Sequence, residues 1–323
     1  MNYRVLATAR SFCRTEGPHH AYLAQHGCQV DLRAEEQPLS ADKLGDIIAG
    51  YDGVILGLDS CDATVLGRAD RLRVISRYGV GVDNVDLAAA TRLGIAVTIT
   101  PGTNTTAVAE LTIALILALA RNLPQVVSAA KAGQWRRTPG WELSGKTLGL
   151  IGFGAIGQAV AKRAHGLELK VLAYDPFWPG EADQAERVDL ATLLSSADIV
   201  SLHAALTPDT RGLINRERLA QMKDGAVLVN TARAALVDEE ALYEALTRGK
   251  LAGAAIDVLA NEAGPLLGLE KVIVTPHLGA TTREAVARMS LLAAENLVAV
   301  LHGKPCRFVV NAVRGSGGAD NGA

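Results

Sequence analysis

Three glycines in "LGLIGFGAIGQAV" fall at Gly152, Gly154 and Gly157, a GxGxxG spacing between an apolar run and a helical one. With a strand before it and a helix after it, the first glycine permits a tight turn and the second lets a pyrophosphate approach the backbone. The third allows close helix packing, and the amides at the helix N-terminus face the phosphates. Alone, the spacing is a weak signal. Its context strengthens it, because the next apolar run, "KVLAYDP", ends in Asp175, eighteen residues past Gly157. An acidic side chain there accepts hydrogen bonds from the adenosine ribose hydroxyls. It would also repel a 2′-phosphate, and no arginine follows directly, so the pattern favours NAD over NADP. The plainer alternative is a solvated aspartate opening a turn before Pro176.

Further candidates stand at the ends of other apolar runs. "VIVTPHLGATT" runs from a buried-strand pattern into His277, and "VNTARAALVDEEAL" carries Arg233 directly after one. Gly152, Asp175, His203, Arg233, Asp257 and His277 each lie at or just past the carboxyl end of one of six such runs. In a parallel sheet these ends share one edge, the edge where open α/β folds bind ligands. A charged Arg233 there is costly unless something compensates it. A carboxylate substrate fits its guanidinium fork, and a structural ion pair with Glu239 or Glu240 is the other way to satisfy it. Glu262 can meet His277 across neighbouring strand ends, fixing the imidazole tautomer and keeping it basic. His203 points to a cofactor contact, whereas His19, His20, His26, His165 and His302 carry no supporting context. Earlier in the chain, "SRYGVGVDNVD" places Gly79 and Gly81 where backbone amides can hold a carboxylate, a simple turn being the alternative, with Arg77 beside them as a phosphate contact.

The surrounding elements must present these residues. From Met1 to about Thr100, β-branched runs alternate with helical segments, the pattern of βα units and a parallel sheet. "TPGTNTTAVAE" breaks the pattern with Pro101 and Gly102 and reads as a hinge, where Asn104 or a following threonine caps a helix reaching about Arg121. Six further runs separated by helices, among them Ala155 to His165, Asp189 to Ala197 and Asp238 to Arg248, predict a second doubly wound sheet. An amphipathic helix follows Thr282 to about Leu301, and "GSGGADNGA" has a composition that cannot pack and is expected to be disordered.

At 323 residues, two domains are expected; 49% apolar and 20% charged residues describe an ordinary globular chain. A net charge of −2 gives no reason to expect nucleic acid or anionic membrane as partner, so a small molecule is the better expectation. Cys13, Cys28, Cys61 and Cys306 show no metal-ligand spacing and read as buried thiols of a reducing compartment. With no signal-like N-terminus, and no apolar run approaching the ~20 residues of a membrane span, a cytoplasmic protein is expected.

Taken together, "RYGVGVDNVD", "GFGAIGQAVAKR", "NTARAALVDEEAL", "AAIDV" and "VTPHLGATT" resemble the D-isomer-specific 2-hydroxyacid dehydrogenase family, and within it the short phosphoglycerate dehydrogenases. The resemblance covers nearly the whole chain. It implies a flavodoxin-like substrate domain (1–100, completed by a C-terminal helix in 282–323) into which a Rossmann NAD-binding domain (101–281) is inserted, with homodimer contacts through the inserted domain. It implies Arg233, Glu262 and His277 as the catalytic trio. Around NAD it places Gly152, Gly154, Ala155, Ile156, Gly157, Asp175, His203, Thr210, Thr231, Ala232, Asp257 and Gly279. Toward the substrate it places Arg77, Gly79, Val80, Gly81 and Asn104; no metal is implied.

The implied reaction passes a hydride between C2 of a small D-2-hydroxy acid and the nicotinamide, with domain closure expelling water. 3-Phosphoglycerate is the leading substrate, with Arg77, Arg136 and Arg137 as phosphate partners, and glyoxylate or hydroxypyruvate the alternative. The same fold also serves NAD-sensing corepressors, so a binding role stands as a second class. Three departures from the family pattern are visible. Ala234 and Ala235 replace two glycines and are expected to restrict the backbone beside Arg233. The stretch from Glu262 to His277 is short, with Ala263 in place of a proline. No regulatory domain follows, so serine feedback through one is not expected.

Overall fold

The structure, a computed structural model, describes residues 2–178 and 184–313, and the stretch expected to be disordered lies outside them. The chain forms two compact units, Met1–Asn104 with Thr281–Ala323, and Thr105–Ala280, as far as the described residues define them.

In the first unit the five apolar runs become strands β1 (Tyr3–Ala7), β2 (Cys28–Leu32), β3 (Gly53–Leu56), β4 (Val74–Arg77) and β5 (Ala96–Thr98). All pair in parallel in the order β2-β1-β3-β4-β5, the flavodoxin-like order. Leu6, Val54, Leu56, Ile75 and Val97 build one core layer against helix residues such as Leu44, Ile48 and Val65. The helix Arg283–Leu301, capped by Thr282 whose Oγ1 accepts from the Ala285 amide, is held to the same sheet. Ser76 Oγ donates to the Ala293 carbonyl and Asn296 Nδ2 to that of Ile99. Beyond it the chain lies along β5: the Val310 amide donates to the Val97 carbonyl, and Asn311 Oδ1 accepts from the Val97 amide.

The second unit carries β6 (Thr147–Ile151), β7 (Lys170–Tyr174), β8 (Glu186–Arg187), β9 (Ile199–Leu202), β10 (Ala226–Asn230), β11 (Leu251–Ile256) and β12 (Val272–Val274). They form one parallel sheet in the order β12-β11-β10-β9-β6-β7-β8. Its central strands are largely apolar on both faces because both are covered. In β10, Val227 and Val229 join the layer with Leu115, Ile116 and Val160, while Leu228 joins the opposite layer with Leu193 and Leu242. A fully buried leucine of this kind contributes about 1.5–3 kcal/mol. The fold is therefore the expected pair of doubly wound parallel sheets. Two details differ from the sequence reading. β8 is a seventh strand, only two residues long, charged and exposed, so it lacks any apolar pattern. Asp189 and Asp238 are caps and not helix residues: each carboxylate accepts an amide three residues on, from Thr192 and Ala241.

Among the described residues no single helix is long and apolar enough to cross a membrane.

Candidate active site

The strand order of the second unit reverses at β6, between β7 and β9, and the glycine turn sits there. Gly152 has φ +94°, and a Cβ on it would stand 2.6 Å from the His203 carbonyl carbon and the Ala204 amide. A Cβ on Gly157 would overlap the Gly152 carbonyl oxygen. Packing thus explains two of the three glycines. Gly154 is different: it has φ −71° and a Cβ there would meet nothing within 4 Å. No contact within the described residues calls for a glycine there, and the open space lies at the N-terminus of the helix Ala155–His165, whose free amides suit an anion. Asp175 braces this turn. Its Oδ2 accepts from the Phe153 amide at 2.7 Å and its Oδ1 from the Phe177 amide at 2.8 Å, which fixes the carboxylate at the end of β7 with lone pairs remaining for ribose hydroxyls.

His203, just past β9, shares a hydrogen bond of 2.9 Å between its Nε2 and Ser201 Oγ. Desolvation lowers its pKa to about 4, so the imidazole is neutral near pH 7 and offers a dipole, not a charge, to its surroundings.

Arg233 and His277 occupy turns after β10 and β12, and β11 between them links the two. Asn230, 1% exposed, folds the first turn: its Oδ1 accepts from the Ala232 amide at 3.0 Å and its Nδ2 donates to the Arg233 carbonyl at 2.9 Å. Arg233 Nη1 in turn donates to the Ala232 carbonyl at 2.8 Å. Ala234–Leu236 continue as a 3-10 turn, and neither alanine has positive φ. The expected restriction from replacing two glycines is absent, because this turn never asks for a left-handed residue.

Asp257, also 1% exposed, organises the second turn. Its carboxylate accepts from Thr275 Oγ1 at 2.6 Å, the Leu278 amide at 2.7 Å and the Gly279 amide at 2.8 Å. Its carbonyl accepts the His277 amide, and its own amide donates to the Asn230 carbonyl. His277 itself has φ +54°, a left-handed conformation that costs a residue with a Cβ about 1–2 kcal/mol, and its side chain is exposed. Strain held this way is typical of functional turns. Glu262 is exposed in the loop before Pro265–Gly268, and Glu239 anchors that loop by accepting the Ala260 and Asn261 amides.

The other expected site residues make the following contacts within the protein. The Thr210 hydroxyl closes its own turn onto the Ala205 carbonyl, and the Thr231 hydroxyl meets Thr112 at 3.1 Å inside the core. The Ala232 and Gly279 amides donate to Asn230 Oδ1 and Asp257 Oδ2. Ala155 and Ile156 form the first turn of the helix Ala155–His165. In the first unit, Gly79, with φ +139°, turns its amide inward to Thr100 Oγ1 and the Arg77 carbonyl, which leaves the exposed Val80 and then Gly81 at the tip of the loop. Arg77 is 4% exposed and donates to Asn84 Oδ1 and the Tyr78 carbonyl. It braces this loop from within, where the sequence suggested a phosphate contact. Asn104 does not cap the helix Thr105–Ala120: its Oδ1 is buried and makes no hydrogen bond among the described residues, an arrangement that costs about 1–3 kcal/mol.

Asn230 and Thr112 are absent from the sequence-based candidates, and Glu239 enters there only as an ion-pair partner of Arg233. Asn230 did leave a signal, as the one polar residue at the end of the buried run "AVLVN". Among the described residues no group of three or more His, Cys, Asp or Glu could hold a metal ion. Burial pushes the Cys61 thiol up to about 12, which removes it as a nucleophile.

A glycine turn at a topological switch point and a braced aspartate on the next strand are the features of a dinucleotide-binding unit, and an arginine and a histidine stand at two further strand ends of the same sheet. The family model described as "D-isomer specific 2-hydroxyacid dehydrogenase, NAD binding domain" matches residues 113–279. D-3-phosphoglycerate dehydrogenase of Archaeoglobus fulgidus is 43% identical over 300 residues, covering 90% of this chain and 56% of that protein. Glyoxylate reductase of Thermofilum pendens is 44% identical, covering 88% of each. The crystal structure of TT0316 protein from Thermus thermophilus superposes with a TM-score of 0.85 at 44% identity, covering 93% of this chain and 97% of that one. The chain belongs to the D-isomer specific 2-hydroxyacid dehydrogenase family and carries its NAD binding domain. It spans little more than half the length of the phosphoglycerate dehydrogenases it matches.

Proposed function

We propose that the chain is an NAD-dependent dehydrogenase that moves a hydride between the nicotinamide and C2 of a small D-2-hydroxy acid or its 2-keto form. The observation that carries this reading is the pairing of Arg233 and His277 on turns tied together through Asp257, on the same sheet edge as the Gly152–Gly157 turn. NAD, when bound at that turn and Asp175, supplies the hydride acceptor. Everything else falls to the chain's own groups. Arg233 holds the substrate carboxylate and draws charge from the developing carbonyl oxygen. His277 accepts the C2 hydroxyl proton during oxidation and returns it during reduction. Glu262 orients the imidazole from its loop. The tip of the Gly79–Gly81 loop and Asn104, with its unsatisfied oxygen, are the contacts proposed for the substrate from the first unit.

For the particular acid, the commitment of Arg77 to Asn84 and Tyr78 favours an unphosphorylated substrate such as glyoxylate or hydroxypyruvate. Identity of 43% to a D-3-phosphoglycerate dehydrogenase supports the phosphorylated acid as a second reading. A homodimer is proposed through the second unit, because the helix Leu123–Lys131 buries no residue and exposes Leu123 and Val127, while Trp135 just beyond it is 90% exposed. The free thiols suit a reducing, cytoplasmic setting.

The test is NADH oxidation by the purified chain with glyoxylate, hydroxypyruvate and 3-phosphohydroxypyruvate in parallel, beside a His277→Ala control. Turnover of at least one acid, lost in the control, is the expected result. NADH binding without turnover of any acid would refute the enzymatic reading and favour a dinucleotide-sensing role.

A further inference from the structure

We infer that Asn230 is a positioning residue for Arg233, the one whose carboxamide sets where the substrate-binding guanidinium stands. The inference rests on the role proposed above for Arg233 and extends it to a residue that does not itself touch substrate.

Three hydrogen bonds form a closed circuit. Asn230 Oδ1 accepts from the Ala232 amide, Arg233 Nη1 donates to the Ala232 carbonyl, and Asn230 Nδ2 donates to the Arg233 carbonyl. The backbone of Ala232 is thus gripped at both ends, once by Asn230 and once by Arg233 itself. Arg233 is extended, at φ −142° and ψ 139°, so its side chain leaves a short connecting segment between β10 and the 3-10 turn. Asn230 is in contrast buried and bonded on both sides. It ends a strand whose preceding residues Val227, Leu228 and Val229 are at most 3% exposed, and its carbonyl accepts the Asp257 amide from the neighbouring strand. The sheet therefore holds the carboxamide, and the carboxamide holds the turn.

The residue type follows from this geometry. Closing the circuit requires a donor and an acceptor on one short planar group, which asparagine supplies. Aspartate keeps the volume and the bond to Ala232 but sets a second acceptor against the Arg233 carbonyl. Serine carries donor and acceptor on a single oxygen on a shorter side chain, which cannot stand at both the Oδ1 and the Nδ2 positions. A turn displaced by a fraction of an ångström moves the tip of a long arginine side chain further, and misplacement of about 1 Å in a reacting group costs on the order of 100-fold in rate.

The experiment is a double-substitution cycle on the full chain, using Asn230→Asp, Arg233→Lys and both together. Kinetics with the 2-keto acid that the wild-type chain turns over best are combined with NADH affinity and oxalate affinity of the NADH-loaded protein, both from NADH fluorescence. Asn230→Asp is expected to lower kcat/KM by about 10–100-fold, chiefly through a raised KM, and to weaken oxalate binding, with NADH affinity unchanged. In the Arg233→Lys background the same change should add little, because the group being positioned is already gone. A merely structural role would lower the melting temperature and cost as much in either background. Wild-type kcat/KM and oxalate affinity in Asn230→Asp, or full additivity with Arg233→Lys, would overturn the inference. If Asn230→Asp does not fold, Asn230→Ser, which can keep the bond from Ala232 while losing the one to Arg233, carries the same cycle. The functional reading fails by a different signature, a wild-type chain that neither turns over any acid nor binds oxalate.

Discussion

Replacing Asp257 with asparagine changes almost no volume but removes a charge that three donors share. Thr275 Oγ1 and the Leu278 amide converge on Oδ1, and the Gly279 amide is alone on Oδ2. Asparagine's single amide oxygen can keep the first two, which leaves its NH2 facing the Gly279 amide, donor against donor. A buried N–H left without an acceptor costs about 1–3 kcal/mol. The two surviving bonds lose their charge assistance, at about 0.5–1 kcal/mol each. The expected destabilisation is therefore roughly 3 kcal/mol, read as a lowered urea midpoint of the full chain. Leu278 and Gly279 follow His277 directly, so a loosened turn also displaces the imidazole, and kcat should fall by about 100-fold. Unchanged stability with lost kcat would refute the reasoning, since Asp257 would then act on the bound ligands directly and not through the turn. Wild-type behaviour in both measurements would refute it altogether.

Other substitutions separate protein packing from ligand space. Gly152→Ala should destabilise the chain by about 2–4 kcal/mol, because its Cβ meets backbone at 2.6 Å from a positive φ. Gly154→Ala should melt like the wild type yet bind NADH about 10-fold more weakly, and equal NADH affinity would remove the phosphate from that space. His277→Ala and His277→Gly should both abolish turnover, while the glycine variant is the more stable by about 1 kcal/mol in urea unfolding, since glycine carries no left-handed penalty. His203 titrates near 4 when folded and near 6.5 when unfolded, so the unfolded chain takes up its proton first. Stability should fall as pH drops through that window, by roughly 3 kcal/mol for this group; urea midpoints at a series of pH values should decline less steeply in His203→Gln.

What the sequence displays depends on the range over which each feature is determined. The strands were legible because apolar residues had to cover two faces of each sheet, and the glycine turn because Gly152 and Gly157 answer to backbone packed within a few residues or on the next strand. β8 was not legible, since two exposed charged residues carry no period. The direction of Arg77 was not either: a charged residue ending an apolar run can face a ligand or its own loop, and only the position of Asn84 and the Tyr78 carbonyl decides. The same holds for Gly79, whose amide is claimed by Thr100 from another strand end. Asn230 lay in plain view but its task depends on the dihedral angles of three residues that no composition reveals.

The stretch that lies along β5 sets an order of events during synthesis. Residues Thr105–Ala280 form a continuous unit and leave the ribosome as one block, so their sheet can close early. The first unit is delayed. β5 keeps an unpaired edge until Phe308, Val310 and Asn311 arrive, about two hundred residues after it was made, and the layer formed by Arg283–Leu301 is missing for nearly as long. An open parallel sheet with an exposed edge is a template for wrong pairing. A nascent chain stalled between Thr281 and Cys306 would thus hold a folded nucleotide-binding half and an adhesive, unfinished first half. Chaperone demand, and the damage from late frameshifts, should concentrate in the segment of the chain that is made first.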